Sequence, residues 1–304
     1  VRALRVVGGL AALGAAGLGY AHLETKLFTL RRATIPVLPA GERDLRVLHL
    51  SDLHLTPTQR RKIAWVRSLA ALEPDLVVDT GDNLAHPDSL GPLLDALEPL
   101  LETTPGAFVM GSNDYYAPVP KNPARYLLPD ARVAQADPVP LPADRLAGEL
   151  RVAGWKDLTN RRDVVVADGR RIDLVGVDDP HLDRDRVPDG PPADPDATLR
   201  LGVTHAPYRR VLDAMHRDGV DAILAGHTHG GQLRLPLYGA LVTNCDLDRR
   251  RASGLHGWPG PRPDEMGGNG STWLHVSAGA GTSPYAPVRF ACRPEATLLT
   301  FTAR

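Results

Sequence analysis

Cysteine is nearly absent from this chain of 304 residues: Cys245 and Cys292 are the only two. Neither belongs to a C-x-x-C pair, which argues against a zinc–thiolate site. Two isolated thiols read as free or buried residues rather than a disulfide, and they leave the redox compartment open. Aromatic residues make up 5%, too few for the stacking platforms that hold single-stranded nucleic acid. Charge of neither sign is in excess. Lys and Arg total 35 against 36 Asp and Glu, a formal net charge of -1, so the basic footprint of a nucleic-acid partner is missing. No Gly-x-x-x-x-Gly-Lys loop exists, which argues against an ATPase. Gly279-Ala280-Gly281 lacks the third glycine and the following helix of a dinucleotide site. There is no internal repeat.

What is present supports a globular core. Hydrophobic residues reach 43%, and 304 residues suffice for one large domain or two small ones. The 29 glycines and 28 prolines imply many turns. At the N-terminus, Val6 to Tyr20 is apolar and rich in small residues, with Arg2 and Arg5 before it and Lys26, Arg31 and Arg32 after it. Extended to Leu23, the run nears the lower limit of a membrane span. Gly19-Tyr20-Ala21 is a poor cleavage site, so an uncleaved anchor is expected. The flanking charges do not fix its orientation. The expected organisation is a membrane-anchoring or signal-like segment over 1–24, a linker over 25–43 and one domain over 44–304.

Within that domain, Leu45–Ser51 reads as a strand. Residues 57–72 read as a helix, with Ile63, Val66, Leu69 and Leu72 at helical spacing. A short apolar strand over 75–79, a helix over 90–101 and a strand over 107–110 follow. Residues 115–146 read as a long proline-rich loop with short helical pieces. A hairpin over 164–177 turns at Asp168-Gly169, and 183–196 is a surface loop. Then come a strand over 199–204, a helix over 207–217, a strand over 221–225, and strands over 232–235, 272–277 and 296–301. Alternating strands and helices call for a mixed or parallel sheet with helical cover.

Five fragments carry chemistry: Asp52-x-His54, Gly81-Asp82-Asn83, Gly111-Ser112-Asn113-Asp114, Thr204-His205 and Gly226-His227-Thr228-His229-Gly230. Each follows a predicted strand. Together they offer carboxylates, imidazoles and one carboxamide, the O and N donors that divalent metals take. Residues two apart on an extended segment point the same way, so Asp52 and His54 can address one ion. A carboxylate has two oxygens, so Asp82 can bridge two. Donors without sulfur suit Mn, Fe or Zn. His49, inside a strand, reads as structural, and His181 and His275 fall outside any ligand spacing. Tyr115, Tyr116 and Lys121 are candidates for the cleft wall.

This ordered set resembles the calcineurin-like metallophosphoesterase superfamily, whose signature is Asp-x-His, Gly-Asp-x-x, Gly-Asn-His-Asp/Glu, a lone His after a strand, and Gly-His-x-His. Four of the five elements match, over about residues 45 to 301. The resemblance implies an α/β fold: a four-layer α-β-β-α sandwich of two mixed sheets flanked by helices. It also implies two divalent ions. Asp52, His54, Asp82 and His229 would hold one; Asp82, Asn113, His205 and His227 would hold the other. A hydroxide held between them would attack phosphorus in line. The third element departs from the pattern. A direct overlay puts Ser112 and Asn113 at the Asn and His positions. A shift by one makes Asn113 the ligand and gives Asp114 the catalytic place of the His, and the shift is preferred because a carboxamide is the better donor. Catalytic roles are thus expected for Asp82, Asn113 and Asp114. The expected substrate is a phosphomonoester or phosphodiester, with the neutral charge and apolar N-terminus favouring a small or lipid-linked one. The alternatives are a nuclease or nucleotide phosphodiesterase, and a binding module that has kept the fold without turnover.

Overall fold

The computed structural model describes residues 2–120 and 137–304, the side chains of residues 2–11 excepted. The chain runs α1 (Arg2–Glu24), β1 (Thr29–Leu38), β2 (Leu45–Leu50), α2 (Arg60–Ser68), β3 (Leu76–Asp79), α3 (Leu90–Thr103), β4 (Gly106–Phe108) and α4 (Ser112–Tyr115). It continues through α5 (Ala143–Val152), β5 (Lys156–Asp157), β6 (Arg161–Ala167), β7 (Arg170–Gly176), β8 (Leu199–Thr204), α6 (Arg209–Arg217) and β9 (Ala222–Ala225). Last come β10 (Arg234–Leu235), β11 (Gly239–Ala240), β12 (Gly254–Trp258), β13 (Thr272–Val276) and β14 (Glu295–Ala303).

Strand periodicity decides the layers. In β2, Leu45 and Val47 face one way while Leu48 and Leu50 face the other; in β3, Leu76 and Val78 oppose Val77. One face packs under α2, α3 and α5 through Val66, Leu93, Leu97, Leu146 and Leu150. The other meets the second sheet, where Ile172, Leu174, Leu201, Val203, Leu224 and Trp273 interdigitate with Val47, Val78, Leu299 and Phe301. The outer face of that second sheet, with Ile223, Leu274 and Val276, is covered by Val211, Leu212 and Met215 of α6. The sheet orders are β1-β14-β2-β3-β4-β5 and β12-β13-β9-β8-β7-β6. Each mixes parallel and antiparallel neighbours. The four-layer α-β-β-α sandwich is the architecture the sequence implied. β2 and β3 pair in parallel, as do β8 and β9, so their carboxyl ends open on one edge and bring the five fragments together.

Some segments differ from expectation. Residues 25–43 do not form a plain linker: β1 adds a strand to the first sheet beside β14 and buries Ile35, Val37 and Leu38. An edge strand tolerates Pro36, which has no N–H to give. The helix expected from residue 57 begins at Arg60 and ends at Ser68, followed by a 3-10 turn over Leu69–Leu72. α5 and β12 were not anticipated as elements; β12 was hidden by its glycines and histidine. The 164–177 hairpin forms as β6 and β7, with Asp168 and Gly169 both at positive φ in the turn.

α1 ends against the domain. The Glu24 carboxylate, 1% exposed, accepts the backbone N–H of Ala291 (3.1 Å) and Cys292 (2.6 Å), and Ala21 O accepts that of Arg289 (2.9 Å). Among the described residues, no helix is long and apolar enough to cross a membrane.

Candidate metal centre

Two turns at the sheet edge are stitched together first. After β2 and β3, the N–H groups of Asp52, His54 and Leu55 donate to the carbonyls of Gly81, Asp82 and Asn83 at 2.8–2.9 Å. Asp79, at the end of β3, accepts Gly81 N and Asn83 Nδ2, each at 2.9 Å. Lys62 of α2 donates to Leu53 O (2.6 Å) and so holds the first turn from behind. Five site residues lie at positive φ: Asp52 (51°), His54 (40°), Asp82 (57°), His227 (67°) and His229 (49°). Side chains other than glycine seldom adopt that region, and such strain is tolerated where the surroundings over-determine it.

Two groups of donors result. In the first, His54 Nε2 and His229 Nε2 stand 3.1 Å apart, with Asp52 Oδ1 at 3.9 and 3.5 Å from them and Asp82 Oδ2 at 3.4 Å from His54. In the second, His205 Nε2 and His227 Nδ1 are 3.3 Å apart and Asp82 Oδ1 lies 3.6 Å from His205. Asp82 therefore turns one oxygen to each group. Asp52 is also close enough to Asp82 and His205 to join a second trio, but its Oδ2 is already taken by Ser51 Oγ (2.5 Å) and His227 N (3.0 Å). Asp82 also accepts the Asn113 N–H at Oδ1 (2.7 Å), and its two oxygens still divide between the two groups.

The tautomers suit cations. A carbonyl only accepts, so a ring nitrogen beside one carries the hydrogen. His205 Nδ1 meets Thr80 O (2.7 Å), His227 Nε2 meets Asn244 O (3.1 Å) and His229 Nδ1 meets Gly281 O (3.1 Å). Each of the three rings thus aims its lone pair at the donor groups, as metal-bound imidazoles do. Asp52 Oδ1 is buried without a hydrogen-bond partner, a costly state for a carboxylate oxygen unless a cation meets it. Burial raises the Asp82 carboxyl, and although burial lowers His205, the carboxylates of Asp82, Asp179 and Asp52 outweigh it and raise the ring. Without cations this cluster retains protons; the residues fit two divalent ions that replace them.

A model of the calcineurin-like phosphoesterase family matches residues 45–231. The chain belongs to that family. Phosphodiesterase YaeI of Escherichia coli (strain K12) is 29% identical over 291 residues, covering 93% of this chain and 92% of that one. The uncharacterized metallophosphoesterase YkuE of Bacillus subtilis (strain 168) is 26% identical over 298 residues, covering 93% and 89%. Among solved structures, a 5'-nucleotidase precursor from Thermus thermophilus aligns at a TM-score of 0.42 and 17% identity over 85% of this chain and 55% of that one. This calcineurin-like phosphoesterase is a hydrolase with a dinuclear-type set of metal donors.

The third element needs correction. Asp114 does not face the cleft in the place of a histidine. It is fully buried, and its carboxylate accepts the backbone N–H groups of Gly111 (2.9 Å), Asp82 (2.9 Å) and Asn83 (2.8 Å). Its work is to hold the turn that presents Asp82. Asn113 meets Asp82 Oδ1 with its backbone N–H (2.7 Å), while its carboxamide nitrogen donates to Tyr116 O (3.1 Å) within its own turn. This arrangement favours the direct overlay over the shifted one. Tyr115 does reach the rim, where its hydroxyl donates to Asp178 (2.8 Å) under the Arg184 guanidinium. Lys121 lies outside the described residues.

Several contributors went unseen in the sequence. The His181 ring lies 4.5 Å from that of His227, tilted by 46°, and shares a hydrogen bond with the Tyr208 hydroxyl. Arg289 is fully buried and donates to the carbonyls of Ala278, Gly279, Gly281 and Cys292, pinning the loop whose Gly281 O orients His229. That loop lies against Asp52: a Cβ at Gly279 would stand 2.5 Å from the Asp52 Cβ. Gly279 and Gly281 are the sequence signal of that close approach.

His49 and His275 form the inner end of a relay. Thr80 Oγ1 donates to Ser51 Oγ (2.7 Å), which donates to Asp52 Oδ2. His49 Nε2 must then donate to Thr80 Oγ1 (3.0 Å), and its Nδ1 accepts from His275 Nδ1 (2.9 Å). The relay crosses from the second sheet to a metal-facing carboxylate. Burial drives His275 down to about 3, and burial together with His275 holds His49 well below the usual range. Both rings stay neutral when folded, whereas in the unfolded chain they titrate near 6.5. The folded chain binds fewer protons below that pH. The stability from neutral rings is therefore complete above about pH 6.5 and is lost as the pH falls toward 3, by about 1.4 kcal/mol per pH unit per histidine. Urea midpoints of the wild type and His275→Asn, measured between pH 5 and 8, should diverge in slope below 6.5, with the wild type steeper. Parallel curves would contradict the neutral pair.

Proposed function

We propose that this enzyme hydrolyses a phosphodiester, with Asp52, His54, Asp82 and His229 around one divalent ion and Asp82, His205 and His227 around the other. The supporting observation is that Asp82 turns one oxygen toward His54 and the other toward His205, while three imidazoles fixed by backbone carbonyls, His205, His227 and His229, complete the two donor groups. When bound, the ions supply Lewis acidity toward the phosphoryl oxygens and make water a stronger nucleophile at neutral pH. The protein's own part is to fix geometry. Thr80, Asn244 and Gly281 set the tautomers, Asp114 and Asp79 hold the Asp82 turn, and Arg289 holds the Gly281 loop.

The absence of a histidine from the Gly111–Asp114 loop bears on the substrate. Without that donor near the leaving oxygen, esters whose leaving groups need little protonation are favoured. The name of the phosphodiesterase YaeI agrees with a diester. Membrane association belongs to the same reading: α1 has basic residues at its start, Lys26, Arg31 and Arg32 follow it, and Leu13, Leu18 and Leu23 are exposed on it. It favours a lipid-linked or otherwise surface-bound phosphoester.

The test is a panel of aryl phosphodiesters, aryl phosphomonoesters and alkyl phosphomonoesters, assayed with Mn, Zn and Fe. Turnover should rank aryl diester first and alkyl monoester last. Alkyl monoesters cleaved as fast as aryl diesters would refute the leaving-group argument. No turnover with any metal would move the chain to a binding role.

A further inference from the structure

A cavity of about 330 Å³ lies apart from the donor groups, and none of the proposed metal ligands lines it. Residues of β1 and β12, the edge strands of the two sheets, line it together. Arg31 and Arg32 of β1, Arg234 of β10 and Arg293 line it, with the buried Glu295 and His275 also in its wall.

We propose that this cavity binds a phosphate-bearing anion. Four arginines and one glutamate line it, in a chain whose acidic and basic residues are otherwise balanced. Glu295 is already committed: Oε2 takes Arg31 Nε at 3.2 Å and Oε1 takes Ala278 N at 3.0 Å. Among the described residues, Arg32, Arg234 and Arg293 make no ion pair, and Arg234 is steadied by Ser253 Oγ (2.9 Å). Like charges gathered around one cavity repel one another unless an anion intervenes. Planar guanidinium forks match phosphate oxygens, and a dianion would balance most of the excess. The volume sits at the small end of ligand sites, with room for a phosphate and a short polar substituent.

The position gives the site a line to the catalytic centre. Ala278 in its wall begins the loop that Arg289 pins against Asp52 and His229. The same phosphate chemistry can arrive free or as a lipid headgroup. Beside Arg234, Leu235 and Leu237 are exposed, the latter completely, and Phe290 is exposed near Arg293.

The experiment uses the metal-loaded enzyme and the variant Arg32→Ser/Arg293→Ser, whose two side chains are exposed and lie outside the catalytic machinery. Unchanged turnover of an aryl diester verifies that the variant is folded. Calorimetric titration with inorganic phosphate should show two classes of site in the wild type. The variant should weaken the metal-independent class at least tenfold, while Asp82→Asn removes the other. Flotation with phosphatidylglycerol vesicles, against phosphatidylcholine vesicles, identifies the source. Loss of anionic-vesicle binding in the variant assigns the site to a headgroup, and a loss confined to the phosphate titration assigns it to a free phosphate. A variant indistinguishable from the wild type in both measurements overturns the proposal.

Discussion

Asp82→Asn should abolish hydrolysis and metal pairing together. Wild-type protein, stripped and reloaded, should hold close to two ions per chain, and the variant less than one. The reason is the division of the carboxylate, with Oδ2 near His54 and Oδ1 near His205. An amide keeps the shape but offers one oxygen, and its nitrogen cannot ligate, so one donor group loses its shared member and the other loses its anionic charge. The fall in kcat/KM should be roughly a thousandfold or more, beyond the 10- to 100-fold expected of residues behind the ligands. His229→Ala touches only the first donor group and should leave about one ion bound. Stability separates this from misfolding. Burial already holds the Asp82 carboxyl above its ordinary range, so a neutral amide should melt no lower than wild type when both are metal-free. Equal, mild losses of metal in Asp82→Asn and His229→Ala would remove the bridging role.

The sequence carried most of the site because the donor types are rare in combination and each follows a strand. Asp52, His54, Asp82, His205, His227 and His229 lie close together at one sheet edge. What it did not carry depends on contacts between distant segments. Asp114 and Asn113 are adjacent in a four-residue turn, and only the fold decides that the Asp114 carboxylate is spent on backbone N–H groups. Arg289 reads as one more basic residue, yet it is the buried clamp behind His229. His275 is 226 residues from His49 in the chain and meets it at 2.9 Å. The β1 strand reads as a linker because Pro36 and the basic pair Arg31-Arg32 mask a buried stripe of Ile35, Val37 and Leu38. Periodicity reports which side of a segment is apolar, but not whether a neighbouring strand lies alongside to receive it.

The second large effect is expected at Asp114, and it should appear as lost structure before lost chemistry. Its carboxylate is the shared acceptor for three backbone N–H groups from two turns, with no exposure to solvent. Asp114→Ala leaves those donors buried without acceptors, which costs on the order of 3 kcal/mol or more. Asp114→Asn keeps one acceptor oxygen but turns an amide N–H toward others, so it should also destabilise. In both variants the Gly81–Asn83 turn loosens, Asp82 shifts, and metal binding weakens along with the melting temperature. Ser112→Ala and Asn113→Ala break no such junction and should melt near wild type. Of these two, the one that lowers metal content supplies the remaining donor, and the hydrogen bond from Asn113 to Tyr116 O favours Ser112 or water over the carboxamide. Thermal melts, metal content and turnover of the four variants side by side decide the matter. Wild-type melting and full metal in Asp114→Asn, with turnover alone reduced, would return the residue to an acid's role at the leaving group. A melt that falls together with metal content establishes it as the support beneath Asp82.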